Sequence, residues 1–184
     1  NDVPSDFNYD ILRAHKNMKG LLTRGRQYIT SLMKKGMIIE ADHMSDRSQQ
    51  QALEILNRYQ YPMISGHSNF RELRREANET GGGSKEARLK TEFTIYDSRV
   101  NEINNAGGMF GIMTQQNNIR TATDCPVPNN AAGGSSSFAQ AYWYLLQKTG
   151  GQKGIAFGSD FNGFAPQIAP RFGTEAAYML EGDD

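Results

Sequence analysis

Three observations predict an α/β fold built on parallel strands. Short apolar runs recur along the chain, the segments between them have helical length and periodicity, and glycine or proline separates the two kinds. The order α-β-α-β-α-β-α-β follows, and such alternation implies parallel strands joined by right-handed crossovers. Four strands suit an open doubly wound sheet or half of a barrel. No Rossmann fingerprint follows a strand, which argues against a dinucleotide-binding sheet.

The 184 residues suffice for one domain with a sizeable core. Twenty basic and twenty acidic side chains cancel, so bulk charge favours neither a nucleic acid nor an anionic membrane as partner. No apolar run approaches the ~20 residues of a membrane span, and the opening NDVPSDFNYD has no signal-peptide pattern. The compartment stays unassigned. Cys125 is the single cysteine, which excludes an internal disulfide and a cysteine-based zinc knuckle.

Residues 1–20 are polar and read as an irregular N-terminal segment, with a short helix around Asp10–Asn17 and a solvent-exposed His15. Thr23 reads as the cap of a first helix, with Tyr28, Ile29, Leu32 and Met33 on one face. Gly36 ends it where a positive φ costs least. Met37–Asp42 is the first strand. Ser45 has the chemistry of an N-cap, accepting a free helical N–H, and opens a helix carrying Ala52, Leu53, Ile55, Leu56 and Tyr59. Pro62 prevents that helix from continuing and starts the strand Pro62–Gly66. Asn69–Ala77 reads as a helical turn or two, and Asn78–Ser84 as a loop. Its glycines lack the spacing of a phosphate-binding P-loop.

Thr94-Ile95-Tyr96-Asp97 has capping-box spacing for a helix reaching Ala106. Met109–Met113 forms a third strand, with Met109, Phe110 and Met113 expected in the core. The long polar stretch Gln115–Ser137 reads as a functional or disordered loop. Ser136 or Ser137 caps a helix with Phe138, Ala141, Tyr142, Leu145 and Leu146 on its apolar side. Tyr142, Trp143 and Tyr144 are expected to pack on the sheet. Lys153–Gly158 is the fourth strand. Residues 164–184 read as a C-terminal extension with a helix at Glu175–Leu180.

Chemistry-bearing residues gather where strands end. Met37-Ile38-Ile39 leads through Glu40, Ala41 and Asp42 to His43; Met63-Ile64-Ser65-Gly66 leads to His67; Ile155-Ala156-Phe157-Gly158-Ser159 leads to Asp160. In parallel α/β architecture the C-terminal strand ends share one rim, where chemistry is placed. Two imidazoles and a carboxylate there make a metal-binding set. Glu40 and Asp42 read as polar groups flanking the strand, or as one supporting a ligand from behind.

These motifs, in this order, resemble the membrane dipeptidase family, peptidase family M19 of the amidohydrolase superfamily. D-x-x-H-x-S-D appears with Glu40 in its acidic place, followed by His43, Ser45 and Asp46. S-H-S-N appears as Gly66-His67-Ser68-Asn69, and G-S-D-F-D-G as Gly158-Ser159-Asp160-Phe161-Asn162-Gly163. The likeness runs from about Gly20 to Gly163. It implies part of a (β/α)8 TIM-type barrel, about four βα units, with a two-zinc site on the rim. His43 and His67 would be ligands of one zinc. Asp160 would bind the other and shuttle a proton while metal-activated water attacks the amide of a dipeptide. An arginine in the loop after His67, Arg74 or Arg75, would hold the substrate carboxylate.

The chain departs from the family in lacking His-x-Asp and the bridging glutamate. Residues 1–184 are therefore expected to be a single partial hydrolase domain, inactive alone and completed by the remaining barrel segments or another chain. The other reading is a non-catalytic scaffold or assembly domain derived from that fold. A partial barrel also exposes strand edges and inner faces, so association is expected.

Overall fold

The computed structural model describes residues 7–9, 15–17, 19–73, 92, 94–116, 119, 121–129, 133–151, 153–164 and 167–169. Strands β1 (Phe7–Tyr9) and β2 (His15–Asn17) form an antiparallel pair. Helix α1 (Thr23–Lys34), strand β3 (Ile39–Glu40), helix α2 (Asp46–Arg58) and strand β4 (Met63–Ser68) follow. After a 3-10 turn at Arg71–Leu73 come α3 (Asp97–Asn105), β5 (Phe110–Met113), α4 (Ser135–Thr149) and β6 (Ile155–Gly158).

The four later strands make one parallel sheet in the order β3-β4-β5-β6, which is also their order in the chain. Each connection between them carries a helix, as parallel pairing requires. The predicted α/β class and parallel strands hold. The sheet curls hard enough that β4 meets β6. A Cβ added to Gly158 would overlap the Gly66 carbonyl oxygen and lie 2.9 Å from the His67 Cβ. A Cβ on Gly111 of β5 would overlap the same carbonyl. Only hydrogen fits at these two positions.

The core lies between sheet and helices. Leu53 and Leu56 of α2, Ile103 of α3, Ile112 of β5 and Leu145 of α4 are at most 2% exposed. Each contributes about 1.5–3 kcal/mol through burial. Arg99 of α3 is buried to 1% and reaches Glu102 Oε2 at 2.6 Å, the Tyr96 hydroxyl at 2.8 Å, Gln50 Oε1 at 3.1 Å and the Asp46 carbonyl at 3.4 Å. It thereby ties α3 to the first turn of α2. The N–H of Asp46, free at the helix start, donates to Glu92 Oε1 at 3.1 Å.

Several local expectations are corrected. His15–Asn17 is extended and paired with β1, so it is not helical and the N-terminal segment is not wholly irregular. Local propensity there yields to cross-strand hydrogen bonding. The His15 side chain lies outside the described residues. Leu22, not Thr23, is in the cap position of α1, and no side chain caps it. Tyr96 and Gly134 hold those positions for α3 and α4, so Thr94, Ser136 and Ser137 cap neither helix. Ser45 does cap α2, accepting from the Ser48 N–H at 3.1 Å.

The buried side of α4 is Ser137, Gln140, Ala141, Tyr144 and Leu145, while Tyr142 is exposed. Polar Gln140 lies inside because its Oε1 accepts the Ala122 N–H at 2.6 Å, which apolar periodicity cannot foresee. Met109 is 43% exposed and precedes β5 instead of joining the core. The helix expected at Glu175–Leu180 and the loop Asn78–Ser84 lie outside the described residues. No helix among the described residues is long and apolar enough to cross a membrane.

Candidate metal centre

The site is built where β3 and β4 end. Asp42 lies in the turn just past β3, and the pairing of β4 is irregular between Ser65 and Ser68, so Ser65 and His67 both reach the Asp42 carboxylate outside regular strand alternation. Parallel pairing of Glu40 with Ile64 puts the Glu40 side chain on the face of Gly66, where an added Cβ would overlap its Oε1. The Ala41 N–H donates to the Ile64 carbonyl at 2.8 Å and continues the ladder to the rim.

Asp42 Oδ2 accepts the His67 backbone N–H at 2.8 Å and lies 2.8 Å from His67 Nδ1. Asp42 Oδ1 accepts the Ser65 hydroxyl, and Ser65 Oγ is 2.5 Å from Ser68 Oγ. Both serines are buried to 1% or less. Glu40 Oε1 accepts the Gly66 N–H at 3.2 Å and lies 3.7 Å from His67 Nδ1. Burial raises the Glu40 pKa above the ordinary 4.5. Asp42 beside it adds to the rise through a hydrogen bond and like charge, against the opposing pull of His67 and the Gly66 N–H.

His43 stands just past β3 with φ 62°, a left-handed backbone uncommon outside glycine. Its ring meets that of His67 at 4.9 Å between centroids, and the two Nε2 atoms are 2.9 Å apart. The two histidines predicted from distant parts of the chain are brought together. Asp160 lies two residues past Gly158, exposed and also left-handed at φ 46°. The curl of the sheet sets the end of β6 beside His67, yet the Asp160 carboxylate makes no hydrogen bond or ion pair among the described residues. Arg74 and Arg75 lie outside the described residues.

One donor atom each from Glu40, Asp42 and His67 falls within 4.8 Å of the others. Imidazole and carboxylate are donor types that suit a divalent transition metal; the His67 nitrogen nearest the two carboxylates is Nδ1, while Nε2 faces His43. Ser65 and Ser68 were not foreseen as part of the site. Strand alternation held no signal for them, because Ser65 and Ser68 meet only through the irregularity of β4 between them.

The membrane dipeptidase family, peptidase family M19, matches residues 7–170. No curated protein matches the chain. Among solved structures, the metallo peptidase dipeptidase AC superposes with a TM-score of 0.53 at 14% identity, covering 79% of this chain and 35% of that one. A metallo peptidase from Rhodobacter sphaeroides, solved with a phosphinate mimic of the dipeptide L-Ala-D-Ala, gives 0.54 at 16% identity and the same two coverages. The probable dipeptidase PvdM from Pseudomonas aeruginosa gives 0.53 at 17%, covering 78% and 43%. The chain thus spans less than half the length of these structures, and at such identities the likeness speaks for the fold alone, a parallel α/β sheet with alternating helices. With the family matched over most of its length, the chain belongs to the membrane dipeptidase family, peptidase family M19.

Proposed function

We propose that this chain supplies part of a two-zinc site that hydrolyses dipeptides, with His43, His67 and Asp160 as its ligands. The carrying observation is the 2.9 Å approach of the His43 and His67 Nε2 atoms on the rim of neighbouring parallel strands. His43 and His67 would hold the ion through these imidazole nitrogens, the donor type that zinc sites use. The left-handed backbone at His43 and Asp160 supports the reading, since such conformations gather at functional sites.

When bound, zinc supplies Lewis acidity that brings a water's pKa toward neutrality and polarises the amide carbonyl. Asp160, exposed at the rim, takes the proton from the attacking water and returns it to the leaving amine. Arg74 or Arg75 binds the terminal carboxylate of the dipeptide through the two parallel donors of a guanidinium. The remaining ligands come from the rest of the barrel or from another chain, because no His-x-Asp occurs in the sequence.

Zinc content by plasma mass spectrometry tests the assignment on this chain joined with its missing barrel segments, and on His43→Ala and His67→Ala in the same form. Zinc is expected in the parent. Each variant should lose affinity by more than the about 10–100-fold that follows removal of a supporting contact. A parent that retains no zinc, or variants that bind as well as the parent, would refute the site. A dipeptide panel assayed on the chain joined with its missing barrel segments should show hydrolysis that a chelator stops.

A further inference from the structure

We propose that Asp42 is a positioning residue, not a ligand. It fixes His67 as the tautomer carrying its proton on Nδ1, and so turns the Nε2 lone pair toward His43 and the metal. The inference rests on the metal reading above and adds a residue to it.

Three of the carboxylate's four accepting positions are already occupied. Oδ2 faces two nitrogens of one residue, the His67 backbone N–H and the ring Nδ1, both at 2.8 Å. Oδ1 accepts the Ser65 hydroxyl, which is itself held by Ser68 at 2.5 Å. Asp42 is 10% exposed at its side chain and both serines are buried. A ligand oxygen needs a lone pair aimed at the ion, whereas these are aimed at three donors on β4.

The ring geometry agrees. A neutral imidazole has one N–H and one lone pair. At 2.8 Å from a carboxylate oxygen, Nδ1 must be the donor, since two facing lone pairs repel. That leaves Nε2 of His67 as an acceptor, 2.9 Å from Nε2 of His43. The same logic makes His43 the opposite tautomer in the metal-free chain, donating Nε2–H to His67. To bind a metal through Nε2, His43 must move that proton to Nδ1 or release it. His67 needs no such change, because Asp42 has set its tautomer beforehand.

Long-range ¹H–¹⁵N correlation of the imidazoles tests this on the metal-free chain at about pH 8.5, two units above the ordinary histidine value. The chain has three histidines, and His43→Ala and His67→Ala assign the signals. The expected pattern is Nδ1–H for His67 and Nε2–H for His43. In Asp42→Asn the His67 signal should become a mixture or invert, because an amide can present either a donor or an acceptor to Nδ1. Zinc affinity, read by competition with a chromophoric chelator, should fall by about 10–100-fold.

A wild-type His67 carrying its proton on Nε2 overturns the proposal without any variant. So does an Asp42→Asn chain whose His67 tautomer matches wild type, or one with unchanged zinc affinity. A complete loss of zinc with the tautomer intact makes Asp42 a ligand and also overturns it. If the wild-type chain binds no zinc without its missing barrel segments, the tautomer comparison decides this proposal by itself, and the metal reading is decided separately on the completed barrel.

Discussion

Glu40 shows how charge is arranged at the level of single residues. It is about half exposed at its side chain and has the Asp42 carboxylate as a neighbour. Its carboxyl titrates above 4.5, first because burial disfavours its charge and then because Asp42 does. A raised carboxyl pKa means that the folded chain holds a proton which the unfolded chain has released. Stability therefore falls as pH rises from the unfolded value of 4.5 through the raised folded value, and stays lower above it. We predict that metal-free Glu40→Gln gains on wild type across that window and keeps the gain at neutral pH. Urea titrations at pH 4 and pH 7 check this. A variant less stable than wild type at pH 7 would show that the hydrogen bond to Gly66 outweighs the repulsion. Bound metal should erase or reverse the difference, since a cation favours the charged form.

Elements are placed by caps and by close backbone approach, and these differ in how readable they are. The Ser45 cap was legible because its side-chain chemistry is local. Its hydroxyl accepts from the Ser48 N–H and also donates to the Lys19 carbonyl at 3.2 Å. Ser45→Ala should cost about 1 kcal/mol of stability and, two residues from His43, weaken zinc binding; thermal melts with and without zinc separate the two effects. The curl of the sheet was not legible. Gly111 and Gly158 look in sequence like ordinary strand-end glycines, yet both abut one carbonyl of a strand more than forty residues earlier. Gly158→Ala must displace backbone, so we predict a loss of about 1–3 kcal/mol, visible in urea unfolding, with disturbed His43 and His67 ring signals. An unperturbed midpoint would mean that the sheet can flatten freely. The parallel alternation, the four helices α1–α4 and the placing of His43 and His67 at strand ends followed from periodicity and motif. The Gln140, Arg99 and Glu92 contacts did not, because each joins groups far apart in sequence through one side chain.

Across the whole molecule, the sheet ends in β3 on one side and β6 on the other, each paired on a single edge among the described residues. Phe157 of β6 is 73% exposed, Phe161 is 76% and Phe164 is 93%, and Met37 and Ile38 beside β3 are also exposed. Apolar side chains beside open strand edges favour pairing with another chain. We predict concentration-dependent association of the isolated chain in sedimentation velocity. Phe157→Glu should raise the concentration of half-association at least about tenfold, equivalent to ~1.4 kcal/mol. A single monomeric boundary at every concentration would contradict this.

The crowding around the Gly66 carbonyl bears on how such a pocket can diversify. Beneath His67 the floor is bare main chain, with hydrogens where side chains would otherwise project. Point substitution there has nothing to enlarge without moving a ribbon. On the proposed hydrolase reading, a change of substrate would then come through the loops above the rim.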